Sequence, residues 1–141
     1  MEKAADRLLQ LGILLFLLGL LTGFVVPQLT NPRMGLASHL EGIMNGMFLV
    51  LLGLLWPKIR LSRGWLKLTF WLVIYGTFAN WAATLIAADW GAGASMPMAA
   101  VGHQGTPSQE AIIDFLLWSL SAAMIAVSTL VLWGLRPGSP Q

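Results

Sequence analysis

Three uncharged apolar stretches, each long enough to cross a lipid bilayer, constrain the fold of this chain more than any motif in it. They are Leu8–Val26, Leu68–Ala88 and Phe115–Leu135, with 19, 21 and 21 residues. At about 1.5 Å of rise per helical residue, each covers roughly the 30 Å of a hydrocarbon core. Only 10% of the residues are charged, which is too few for the surface of a soluble domain. The sequence therefore predicts an all-α membrane protein.

A fourth span is predicted between the first two of these stretches. The uncharged run Gly42–Trp56 has 15 residues, about 22 Å of helix, which is too short to cross the membrane. The helix must therefore begin near Leu36, which brings His39 and Glu41 into the edge of the bilayer. We predict a four-transmembrane-helix bundle that forms one domain over residues 1–135, followed by a short disordered tail at 136–141.

The distribution of Lys and Arg predicts the orientation. If the N-terminus is cytoplasmic, seven of the eight basic residues fall on that side, and only Arg33 falls on the other. The seven are Lys3, Arg7, Lys58, Arg60, Arg63, Lys67 and Arg136. Because cytoplasmic loops carry the excess of Lys and Arg, both termini are predicted to be cytoplasmic. The cluster of basic residues from Lys58 to Lys67 is also expected to contact lipid headgroups, and no nucleic-acid partner is expected. The first span is too long for the apolar core of a signal peptide and lacks a cleavage pattern.

Two linkers are predicted on the outer side, at Pro27–Ala37 and Asp89–Gln109. The second linker is longer than a connection between two helices requires, and a lid is one candidate role for it. At its end, Thr106 as N-cap, Pro107 at N1 and Gln109 at N3 have the pattern of a capping box and predict the start of the last helix.

Two histidines and no cysteine limit the metal chemistry of the chain. Iron–sulfur clusters and thiol nucleophiles are excluded, and zinc is disfavoured because no HxxxH spacing is present. A haem needs only one protein histidine, and His39 is the candidate metal ligand. Gly42 and Gly46 share its helix face, where they either admit a macrocycle or form a close helix–helix contact. His103, in the outer linker, is either a second ligand or a solvated loop histidine.

Polar side chains at membrane depth form a second candidate feature. Glu41 and Asn45 lie four residues apart on one span, and Asn80 and Thr84 lie four apart on the next. Such groups are costly in a bilayer unless they have partners, so they are expected to face the protein interior. Counting residues from the outer edge puts Asn45 and Asn80 at similar depth. They either line one cavity or form a pair of interhelical hydrogen bonds.

Two segments carry a resemblance to a known family. "ASHLEGIMNGMF" (Ala37–Phe48) and "YGTFANWAATLIAADWGAG" (Tyr75–Gly93) resemble small bacterial membrane proteins of the hydroxylaminobenzene mutase family, and this similarity runs over most of the chain. A more distant resemblance, to styrene oxide isomerase, is confined to His39 with Asn45 and to the Ala79–Asn80 pair. The chain departs from that enzyme's pattern at Gly76 and Thr84. At the corresponding positions, styrene oxide isomerase has an aspartate and a tyrosine.

The resemblance implies an isomerase of the bacterial inner membrane that rearranges an aryl hydroxylamine, a small aromatic substrate, to a 2-aminophenol. It further implies a homo-oligomer, a trimer, that holds haem b with His39 as the iron ligand. Ferric iron would act as a Lewis acid while Asn45 and Asn80 position the substrate. Glu41 and Thr84 complete the candidate catalytic set, and Gly42 and Gly46 the candidate haem contact.

Three other functions fit parts of the sequence. An epoxide isomerase of the styrene oxide isomerase type would use the same haem, although the Gly76 and Thr84 positions indicate a different pocket. A non-enzymatic haem or quinone anchor usually presents two axial histidines at membrane depth, and here His103 lies in a linker. A four-span proton-coupled exporter would require a membrane-embedded carboxylate, for which Glu41 is the candidate.

Overall fold

Four long helices make up most of the protein in the computed structural model, which describes residues 2–136. They are α1 (Glu2–Val25), α2 (Pro32–Leu55), α3 (Arg63–Trp90) and α5 (Pro107–Gly134), and a single-turn helix α4 (Pro97–Ala100) lies between the last two. Each long helix has the length and the hydropathy of a membrane span. The prediction of four helices that are long and apolar enough to cross a membrane is confirmed. The predicted tail at 136–141 lies outside the described residues, except for Arg136.

The second span begins earlier than the sequence predicted. Asn31 caps α2 by accepting the backbone N–H of Met34, and Pro32 occupies the first turn. These two residues start the helix four positions before Leu36, so the linker predicted at Pro27–Ala37 is mostly helical. His39 therefore lies about two turns inside α2. At the start of α5, the capping box between Thr106 and Gln109 is present as predicted.

The helices pack in chain order: α1 on α2, α2 on α3, and α3 on α5. The contact between α1 and α2 is a contact of backbones at glycines. A Cβ atom added to Gly42 would lie 2.5 Å from the Cα of Gly19, and one added to Gly46 would lie 2.8 Å from the carbonyl oxygen of Gly12. Because side chains are missing at these four positions, the two helices approach more closely than larger residues would allow.

The linker between α3 and α5 is folded against the helix ends that lie opposite the start of α1. The Glu110 carboxylate accepts the backbone N–H groups of Gly93, Ala94 and Gly105 at 2.7–3.1 Å. Asn31 donates to the carbonyl oxygens of Ala99 and Ala100. Glu110 therefore connects the linker to the first turn of α5.

Candidate functional site

The His39 imidazole is oriented by the backbone of α1. Its Nδ1 lies 2.7 Å from the carbonyl oxygen of Gly19, and the ring lies over Gly23, where an added Cβ would come within 3.0 Å of Nδ1. A carbonyl oxygen only accepts, so Nδ1 carries the proton and donates it. In the neutral imidazole, the lone pair is therefore on Nε2. This is the tautomer that binds a metal through Nε2 while a backbone carbonyl fixes the ring.

His39 is the better candidate of the two histidines for binding a metal. Residues 2–136 contain no group of three or more His, Cys, Asp or Glu side chains that could hold an ion. His103 is exposed and bonds through Nδ1 to the Ala100 carbonyl oxygen in its own turn. Since a porphyrin supplies four of the ligands of its iron, the single oriented imidazole of His39 fits a haem.

Gly42 and Gly46 occupy the packing surface rather than a surface for a cofactor. Both are buried, and their added Cβ atoms would meet backbone atoms of Gly19, Phe16 and Gly12 within 2.5–3.0 Å. The expectation that a macrocycle lies on these two glycines is corrected, because α1 already covers that face. An apolar groove of about 310 Å³ runs instead along the exposed face of the α1–α2 pair. It is lined by Ile13, Phe16, Met47, Val50 and Leu51.

Glu41 joins the two predicted asparagines into one cluster. Its Oε2 accepts Nδ2–H of Asn80 at 2.5 Å and Nδ2–H of Asn45 at 3.1 Å, and Asn45 also donates to the Glu41 backbone carbonyl at 2.9 Å. The bond from Asn80 connects α3 to α2. The prediction that the two asparagines lie at similar depth is confirmed, and the residue between them is the carboxylate.

The cluster presents hydrogen-bond acceptors. Both asparagine amides turn their N–H groups toward Glu41, which leaves the two Oδ1 atoms and Glu41 Oε1 without a donor among residues 2–136. Within the described residues, Oδ1 of Asp114 is the one side-chain atom that is fully buried and has no hydrogen-bond partner. The three oxygens of the cluster are not in that state. The three acceptors are therefore not fully enclosed by the chain, and they suit a ligand that carries N–H or O–H groups.

Thr84 is close to the cluster in sequence but is not bonded to it. Its buried hydroxyl donates to the carbonyl oxygens of Asn80 and Trp81 in its own helix. Ser38, which the sequence did not single out, donates to the Trp81 carbonyl oxygen at 3.0 Å and links α2 to α3. Neither hydroxyl hydrogen is free to reach the Glu41 carboxylate.

His39 and the carboxylate–amide cluster lie on different sides of α2. Two residues along a helix correspond to about 200° of rotation. The His39 ring accordingly contacts Gly19 and Gly23 of α1, while Glu41 bonds to Asn80 of α3. The sequence placed His39 and both asparagines around one ligand, whereas in the structure His39 bonds to α1 and Glu41 bonds to Asn80 of α3.

Comparisons with known proteins give the family. The model of the styrene oxide isomerase family matches residues 4–136 of the chain. The chain belongs to the styrene oxide isomerase family. The similarity is wider than the two short motifs on which the sequence analysis based it. The protein is also 61% identical to hydroxylaminobenzene mutase HabB of Ectopseudomonas oleovorans, over 94% of this chain and 81% of that protein.

A second curated relative supports the same assignment. The chain is 52% identical to hydroxylaminobenzene mutase HabA of the same organism, over 88% of this chain and 93% of that protein. The predicted resemblance is thereby confirmed, and it identifies the chain as an enzyme of the isomerase class. No solved structure matches it.

Proposed function

We propose that this enzyme rearranges an aryl hydroxylamine, such as hydroxylaminobenzene, to the 2-aminophenol. The observation that carries the proposal is the set of acceptors around Glu41, Asn45 and Asn80. A hydroxylamine group has one N–H and one O–H to donate to them, whereas an epoxide has no donor. The cluster therefore favours the substrate of the mutase relatives over an epoxide.

The reaction is an isomerisation and balances without a second substrate. The N–O bond breaks, a C–O bond forms at the ortho carbon, that carbon loses a proton, and the nitrogen gains one. We propose that Asn45 and Asn80 hold the hydroxylamine by accepting its N–H and O–H at their Oδ1 atoms. Amides do not exchange protons near neutral pH, so their contribution is positioning.

We further propose that His39 binds the iron of haem b through Nε2. Support comes from the tautomer set by the Gly19 carbonyl and from the apolar groove, which begins at Met47, two turns below His39 on α2. Ferric iron, when bound there, supplies a Lewis acid that polarises the N–O bond. The chain's own contribution is to fix the imidazole and to offer an apolar surface further along the same pair of helices.

A second copy of the chain completes this site in our proposal. The imidazole and the acceptors lie on different sides of α2, so a ligand between them requires the α1–α2 side of one copy to face the α2–α3 side of another. The resemblance to styrene oxide isomerase implies three copies. Three identical contacts of this kind close into a ring, because a head-to-tail interface closes when its rotation allows.

The proposed location is the bacterial inner membrane with both termini in the cytoplasm. The start of α1, the turn between α2 and α3 and the end of α5 lie at one end of the helices, where the Arg60 backbone N–H bonds to the Gly134 carbonyl oxygen at 2.8 Å. Seven of the eight basic residues are at this end, and Arg33 is at the other. The excess of Lys and Arg is typical of a cytoplasmic face.

The test uses the full chain, expressed with haem supplementation and purified in detergent. Its visible spectrum is recorded, and hydroxylaminobenzene and styrene oxide are supplied separately. We expect 2-aminophenol from the hydroxylamine, a Soret band, and loss of both in His39→Ala. His103→Ala is the matched control and should retain both. Absence of 2-aminophenol from the wild type would overturn the function, and a colourless protein with full activity would overturn the haem.

A further inference from the structure

We propose that Glu41 is a catalytic residue that carries the proton of the rearrangement from the ortho carbon to the nitrogen. This inference rests on the proposed function, because it names the group that performs one step of that reaction. It starts from the position of the carboxylate between the two asparagines and from its remaining free oxygen.

The chemistry requires a proton carrier at this place. When the hydroxyl group migrates from nitrogen to the ortho carbon, that carbon holds both a hydrogen and the new hydroxyl, and the ring has lost its aromaticity. Aromaticity returns when the C–H electron pair re-enters the ring and the proton leaves. The nitrogen takes up one proton, so the sum is neutral and no oxidant or reductant is involved.

The asparagines are unable to carry this proton, and bulk water is scarce at membrane depth. The Glu41 carboxylate is the group in contact with both of them. One carboxylate oxygen, Oε2, is occupied by the two amide donors, at 2.5 Å from Asn80 and 3.1 Å from Asn45. The other, Oε1, has no donor among residues 2–136 and is not fully buried. It is the atom that takes the proton and returns it.

The amides also fix where this atom lies. Asn80 bonds to the carboxylate from α3, and Asn45 bonds to it from the next turn of α2. Their Oδ1 atoms, which hold the substrate in the proposed function, therefore belong to the same cluster as Oε1. A general base must be within hydrogen-bond reach of the proton that it removes, and this arrangement places Glu41 beside the bound ring.

The Glu41→Gln variant removes the proposed proton carrier but keeps a side chain that can hold the hydrogen bonds of the cluster. Glutamine has nearly the same shape and keeps an oxygen that accepts the amide N–H groups, but it does not carry a proton. We expect kcat to fall by about 10²–10⁴-fold, the usual contribution of a general base. With hydroxylaminobenzene deuterated at both ortho positions, the variant should show a primary isotope effect on kcat that exceeds that of the wild type, since removal of the ring proton becomes limiting.

Two further variants complete the test. Glu41→Asp keeps a carboxylate on a shorter stem and should retain more activity than Glu41→Gln. Asp114→Asn neutralises another carboxylate in a membrane span, one whose Oδ1 has no partner in the described part of the chain, and should leave kcat and the isotope effect unchanged. Melting temperatures in detergent are measured for all of them.

The outcomes distinguish the two proposals. Wild-type kcat in Glu41→Gln would overturn the role of Glu41 while leaving the mutase function intact. A slow Glu41→Gln variant with a lowered melting temperature and an unchanged isotope effect would also overturn it, because the carboxylate would then only connect α2 to α3. If the wild type itself forms no 2-aminophenol, the proposed function fails first, and that result appears before any variant is compared.

Discussion

The two sides of α2 are built in opposite ways. Toward α1, the contact depends on missing side chains, because Gly42 and Gly46 meet the α1 backbone and the His39 ring bonds to a backbone carbonyl. Toward α3, the contact depends on polar side chains, because Glu41 and Ser38 bond directly to that helix. Added atoms should therefore destabilise the contact with α1, and removal of polar atoms should destabilise the contact with α3.

The largest effect is expected from an added side chain on the α1 side. In Gly42→Val, the new Cβ would lie 2.5 Å from the Cα of Gly19 and 2.9 Å from Cδ1 of Trp81, so α1 and α2 must separate. Overpacking of a close contact costs about 1–3 kcal/mol or more. Thermal unfolding in detergent should show this loss, and activity should fall with it.

Gly64→Val is the matched control for this change. Gly64 also lies in a helix, but no atom lies within 4 Å of a Cβ added there. It should unfold close to the wild-type temperature. Equal melting temperatures for Gly42→Val and Gly64→Val would mean that the backbone contact between α1 and α2 is not what holds the two helices together.

Much of the fold could be predicted from the sequence because its signals are local. Long apolar runs identified three spans and a shorter run indicated the fourth, and the Thr106 capping box located the start of α5. The start of α2 was predicted wrongly because the estimate counted hydrophobic length alone. Asn31 and Pro32 start the helix through hydrogen bonding and backbone geometry, and Arg33 is tolerated in its first turn at the membrane edge.

The candidate site was less predictable, because it depends on which face of each helix meets which neighbour. Counting residues from the membrane edge was enough to predict that Asn45 and Asn80 lie at similar depth. It did not show that Glu41 bonds to both, nor that His39 faces α1 instead. His39 bonds to the backbone carbonyl of Gly19. Because every residue has a backbone carbonyl, the sequence alone does not indicate which one accepts a hydrogen bond.

On the α3 side, the two asparagines should differ in their effect on stability. Asn80 bonds between helices, whereas Asn45 bonds only to Glu41 of its own helix. Hydrogen bonds between membrane helices contribute about 0.6 kcal/mol on average and at most about 1.7. Asn80→Ala should therefore lower the free energy of unfolding by about this amount, and Asn45→Ala by less.

Activity should fall in both variants, because each removes a proposed acceptor for the substrate. Positioning by one such group accounts for about 10–100-fold in kcat/KM. Unfolding in detergent and turnover of hydroxylaminobenzene are the two measurements. A larger loss of stability in Asn45→Ala than in Asn80→Ala would contradict the assignment of the interhelical bond.

The smallest effect is expected where an added atom touches only the imidazole. In Gly23→Ala, the new Cβ would lie 3.0 Å from Nδ1 and 3.1 Å from Cε1 of His39, so the ring must shift by a few tenths of an ångström. The bond from Nδ1 to the Gly19 carbonyl should lengthen. Loss of a hydrogen bond that orients a metal ligand costs about 10–100-fold in metal affinity or activity, so a weakened bond should cost about tenfold or less.

Gly64→Ala isolates this contact from the effect of helix propensity. Both changes replace a helical glycine by alanine, which stabilises a helix by up to about 1 kcal/mol, and only Gly23→Ala touches a side chain of the site. Similar melting temperatures together with weaker haem retention and lower turnover in Gly23→Ala alone would mean that α1 sets the position of the imidazole. Identical turnover in the two variants would mean that the His39 ring adapts freely, and that the Gly19 carbonyl does not orient it.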